Sequence, residues 1–111
     1  MISAVLYRDG NRLTGYSASG HSDYAEEGSD IVCAAVSVLG CTCVNALESV
    51  CGVQVLMKEN GPGILAFDLP MLAAKEDREA QILMGALKQG LTDIQDNYPQ
   101  NLHLSIKERR K

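Results

Sequence analysis

From residue 31 to residue 47 the chain carries no charged side chain, and Ala34, Ala35, Val38, Leu39, Val44, Ala46 and Leu47 make the run apolar nearly all round. A helix without a polar face is either a core helix or a membrane span. The run falls just short of the ~20 residues a crossing needs, and Ser37, Thr42, Asn45 and the following Glu48 weigh further against insertion. The expectation is a buried helix on which the rest of the chain packs. Asp30 stands in front of it, where a carboxylate accepts from the free N–H groups of a first turn and serves as N-cap.

Around that helix the sequence reads as one domain, 1–111. With 111 residues, 46% hydrophobic and 22% charged, a chain buries about two thirds of its unfolded surface, enough for a single core without metal or disulfide staples. Residues 2–8 alternate, Asp9-Gly10-Asn11 is turn chemistry, and residues 12–19 are rich in Thr, Tyr and Ser, which together predict a hairpin. Residues 53–58 and 64–69 flank a Gly- and Pro-containing segment and predict a second hairpin. A second helix is expected over 75–97, with Ala80, Leu83, Leu87, Leu91 and Ile94 on one stripe, and Pro99 ends it. Residues 101–107 alternate as a half-buried strand. The order ββαββαβ predicts an α/β (α+β) fold of two layers, a largely antiparallel five-stranded sheet packed with two helices.

Charge narrows the function. Ten Lys and Arg against fourteen Asp and Glu give a net charge of −4, and a domain held to nucleic acid by phosphate neutralisation needs a basic face instead. Direct nucleic-acid binding is not expected, nor is a membrane partner. The chain opens on alternating Ile2, Ala4 and Leu6 rather than a basic stretch with an apolar run behind it, so the expected location is cytoplasmic, where Cys33, Cys41, Cys43 and Cys51 stay reduced. On one helix, Cys41 and Cys43 diverge by about 200° and Cys33 and Cys41 stand about 12 Å apart. Such thiols cannot gather around one tetrahedral ion or close a disulfide. No metal is expected, and core packing is the expected role of Cys41, Cys43 and Cys51.

Chemistry concentrates before the apolar helix. Cys33 lies three residues after Asp30, in a first turn where unpaired N–H groups and the helix dipole favour a thiolate. His21 precedes it across a polar loop long enough to fold back, giving a plausible nucleophile and base. The plain alternatives are a buried thiol acting as a small hydrophobe and a surface imidazole; His103, on the polar side of its strand, is best read as a surface residue. Between His21 and Cys33 lie four carboxylates, Asp23, Glu26, Glu27 and Asp30, with no Lys or Arg among them. That field opposes the thiolate and suits a basic substrate, unless it merely solvates the loop.

The segment GHSDYAEEGSDIVCAAVS, residues 20–37, with Asn45-Ala46-Leu47-Glu48 behind it, resembles the ribosomal-processing cysteine protease family, Prp, also described as YsxB-like. The length and element order fit over essentially the whole chain. The resemblance implies a cytoplasmic, homodimeric endopeptidase that removes an N-terminal extension from large-subunit ribosomal protein twenty-seven, cutting after a Phe-Phe pair. Carried over by position, it makes Cys33 the nucleophile and His21 the general base, with Asp30 and Ser37 in support. No cofactor is implied. Gly20 and Gly28 are candidate hinges of the loop, and backbone N–H groups at the helix start are the expected oxyanion donors. Two other classes compete: a non-catalytic ribosome-assembly binding protein, in which His21 and Cys33 are incidental, and a thiol redox sensor that uses Cys33 without peptide cleavage.

Overall fold

The computed structural model describes residues 1–21, 23–25 and 30–110. Strands β1 (Ile2–Asp9) and β2 (Arg12–Ser19) form the first hairpin, helix α1 (Ile31–Ser49) follows, then β3 (Leu56–Gly61) and β4 (Ile64–Asp68), helix α2 (Ala74–Asn97) and β5 (Leu102–Glu108). The sheet order is β3-β4-β2-β1-β5. All pairings are antiparallel except β1 with β5, which is parallel. The ββαββαβ order and the two-layer mixed domain agree with the sequence reading.

Alternation decides what each strand buries. Ile2, Ala4 and Leu6 of β1, Tyr16 and Ala18 of β2, Phe67 of β4 and Leu102 of β5 face the helices and are all buried. Onto them α1 lays Val32, Val36, Cys43, Val44 and Leu47, and α2 lays Ala80, Met84, Leu87 and Leu91. Two glycines let the layers close. A methyl group at Gly40 would come within 2.7 Å of Leu65 Cδ2 under α1, and one at Gly90 within 2.8 Å of Leu39 Cδ1 where the helices meet. At the far end, Arg12 donates twice to Asp77, at 2.8 and 2.7 Å, and holds the start of α2 to the first hairpin.

Three expectations need correction. The first helix is not buried all round: Ile31 is 54% and Val38 62% exposed. A two-layer domain offers cover only toward the sheet and α2, so an apolar helix in it keeps an outward face. It also runs to Ser49, which makes it long and apolar enough by length and composition to cross a membrane, although its buried stripe is a working part of this core. Second, Cys41 does not pack in the core; it is exposed, whereas Cys43 is buried and Cys51 half-buried. Third, β3 begins at Leu56. Val53 and Val55 alternate like strand residues and are buried, but Val53 N–H donates to Leu47 O at 2.8 Å, closing the end of α1 instead of entering the sheet.

Candidate active site

Where β2 ends and α1 begins, the fold leaves a cavity of about 650 Å³ roofed by the β3–β4 hairpin. His21, Cys33, Asp30, Ser37 and Gly20 all line it. The structure thus brings every candidate site residue among the described ones to one place. Gly28, the other proposed hinge, lies outside the described residues, as do Glu26 and Glu27 of the acidic loop.

Gly20 directs the chain out of β2 and into the cavity wall. Its φ of +102° lies in the range that glycine tolerates, and a side chain there would come within 2.7 Å of the Met1 carbonyl. Its N–H donates to Gly63 O at 3.1 Å, tying the strand end to the hairpin turn. His21 follows at once, and its ring lies over that turn: a methyl group at Gly63, where φ is +73°, would stand 3.7 Å from His21 Cε1. His21 is therefore seated against the turn of the β3–β4 hairpin, not on the loop alone. His103 is exposed on β5, as expected of a surface residue, and is not among the residues lining the cavity.

Asp30 is the N-cap of α1. Its Oδ1 accepts from Val32 N–H at 3.0 Å and from Cys33 N–H at 2.9 Å, and its Oδ2 accepts from Tyr24 N–H at 3.3 Å. One carboxylate joins the loop, the helix start and the residue that bears the thiol. This arrangement corrects the expectation that the first-turn N–H groups stand ready as oxyanion donors for three of them, since those of Val32 and Cys33 already bond to Asp30 Oδ1 and Ala34 N–H donates to Asp30 O at 3.1 Å. The acidic loop changes character as well. Asp30 is a cap, and Asp23 pairs with the Met1 ammonium at 2.6 Å, so neither carboxylate is simply a free charge facing an incoming substrate.

Along α1 the cavity wall continues in steps of one turn, Cys33, Ser37 and Cys41, all small side chains. Tyr16 lies beneath. Its ring packs at 5.8 Å from that of Phe67, and its hydroxyl is buried without a hydrogen-bond partner among the described residues. Burial pushes the pKa of that phenol well above its ordinary value, and it pushes the Cys43 thiol up to about 11. Cys43 is thus a core thiol held in its neutral form. Two further polar side chains line the cavity, Ser19 of β2 and Asn60 of β3, and the sequence reading passed over Asn60 as part of a turn.

The sequence pattern of the family described as cysteine protease Prp matches residues 1–103. The ribosomal processing cysteine protease Prp of Bacillus subtilis is 31% identical over 109 residues, covering 95% of this chain and 96% of its own. Among solved structures, an essential ribosomal processing protease Prp from S. aureus, in complex with a covalently linked product peptide, is 26% identical with a TM-score of 0.86, covering 96% of this chain and all of its own. A Streptococcus mutans crystal structure is 35% identical with a TM-score of 0.80, covering 98% of this chain and 96% of its own. With His21 and Cys33 in one cavity of a fold that these relatives share from end to end, the chain belongs to the Prp family of cysteine proteases.

Proposed function

We propose that this cysteine protease removes the N-terminal extension of large-subunit ribosomal protein twenty-seven, cutting after a Phe-Phe pair, with Cys33 as nucleophile and His21 as general base. The observation that carries the reading is the shared cavity: imidazole and thiol arrive from separate elements, one fixed by the hairpin turn and the other by the Asp30 cap. The relatives from S. aureus, solved with a substrate peptide and with a covalently linked product peptide, support acyl transfer as the chemistry.

In that reaction His21 takes the Cys33 proton, the thiolate attacks the carbonyl carbon, and the carbonyl π pair moves onto oxygen. Collapse re-forms the carbonyl and breaks the C–N bond, and the amine leaves with the proton from His21. Water then attacks the thioester and frees the thiol. Asp30 serves as a positioning residue that holds the helix start, and Ser37 lines the groove one turn beyond the nucleophile. None of these steps calls on a cofactor. The protein works in the cytoplasm as a homodimer, as the family resemblance implies.

A peptide spanning the leader and its Phe-Phe junction is the test. The parent protein is expected to release one product ending in Phe-Phe, and Cys33→Ala none. A binding module would hold the peptide uncut with either thiol or methyl at position 33. Sedimentation of the protein as a monomer across working concentrations would remove the dimer from the account.

A further inference from the structure

A tetrahedral intermediate needs a donor aimed at the oxygen that gains charge, and such donors are among the largest contributors to acyl-transfer catalysis. The usual supplier, the helix start, is largely committed here. The N–H groups of Val32 and Cys33 donate to Asp30 Oδ1, and that of Ala34 to Asp30 O. Another wall of the cavity is then a source of such a donor.

The facing wall is the β3–β4 hairpin, and its register decides which side chain reaches inward. Asn60 pairs with Leu65, and residues directly opposed across antiparallel strands project to the same face. Leu65 projects toward α1, against Gly40. Asn60 therefore projects to the α1 side as well, and it lines the cavity with Cys33 and His21. The register shift between Met57 and Glu59 lies just before it, and such irregularities commonly re-aim side chains near functional sites. The Asn60 carboxamide makes no hydrogen bond to another described residue. The hairpin end that carries it is held in place, because its turn accepts from Gly20 N–H and supports the His21 ring.

We propose that Asn60 is a further catalytic residue, whose carboxamide N–H donates to the scissile carbonyl oxygen as the bond from Cys33 sulfur to carbon forms. The proton stays on the amide. The donor stabilises negative charge while the π pair resides on oxygen and is released when the carbonyl re-forms and the C–N bond breaks. A neutral amide does this at any working pH. The assignment rests on the Cys33 and His21 protease reading and adds a residue to it.

The test compares Asn60→Ala and Asn60→Asp with the parent on the leader peptide, with the rate of Cys33 alkylation by iodoacetamide as a second readout. Alkylation consumes the thiolate without building charge on a carbonyl oxygen. The expected result is a fall in kcat of about 10²–10³ for Asn60→Ala, KM within about threefold, a larger fall for Asn60→Asp, and alkylation unchanged. A kcat for Asn60→Ala within about threefold of the parent would overturn the assignment. So would a parallel loss of alkylation rate, because that would mean that Asn60 shapes the thiol and not the oxyanion. A parent protein that cuts no peptide would overturn the protease reading itself, and this assignment with it.

Discussion

Asp30 Oδ1 accepts a hydrogen bond from the backbone N–H of Cys33 at 2.9 Å, so the residue that starts α1 also fixes the residue that bears the thiol. Removing the carboxylate acts on folding and on catalysis together. Asp30→Ala is expected to cost about 1 kcal/mol of stability, the usual loss of an N-cap, and to lower kcat/KM by loosening the helix start. Asp30→Asn caps nearly as well and is expected to keep both. Urea titration and peptide kinetics on the two variants check this; equal losses in both would show that the charge, and not the cap, matters.

Tyr16 offers a prediction of the opposite sign. Its hydroxyl is buried without a partner among the described residues, and a buried polar group left unpaired costs about 1–3 kcal/mol. Tyr16→Phe keeps the ring packed on Phe67 and removes that cost. Its urea midpoint is expected to equal or exceed the parent's, and a clear drop would reveal a partner for the hydroxyl in solution.

The two thiols in the middle of α1 should separate by reactivity. Cys41 is exposed on the cavity wall and Cys43 is buried beside Met84, sulfur to sulfur 3.8 Å. Maleimide at pH 8 is expected to label Cys41 and spare Cys43 in the folded protein, with mass mapping as the readout. Burial also raises the folded pKa of Cys43 to about 11, above the ordinary thiol value of about 8.5. The folded state holds this proton more tightly, so the stabilisation is full below about pH 8.5 and is lost as pH climbs toward the folded value. The stability of the parent should therefore fall more steeply than that of Cys43→Ala above pH 8.5. Parallel curves would contradict a buried neutral thiol at this position.

Local pattern carried much of this structure. The ββαββαβ order follows from alternation, clearest in β1, from helical periodicity and from turn chemistry, and the Asp30 cap follows from one carboxylate placed before an apolar run. His21 and Cys33 were legible as candidates because an imidazole and a first-turn thiol flank one polar loop. What the sequence concealed depends on contacts between distant segments. Val53 and Val55 look like strand residues because they are buried, yet the bond from Val53 N–H to Leu47 O keeps them out of the sheet. The exposed side of α1 follows from how few layers surround it, which no helical pattern reveals. Cys41 could be assigned only once the hairpin wall stood opposite it. Asn60 reads as an ordinary turn residue until its register with Leu65 places it on the cavity face.

The central claim is that Cys33 carries the acyl group, and intact-protein mass spectrometry of an acid-quenched reaction tests it directly. Incubation with the leader peptide is expected to add the mass of the N-terminal fragment to the protein as a thioester, with fragmentation mapping the bond to Cys33. The Cys33→Ala protein should show no adduct and no cleavage, and His21→Ala should form the adduct on the order of 10² times more slowly. Cleavage that persists in Cys33→Ala, or an acyl group mapped to Cys41, would contradict the account.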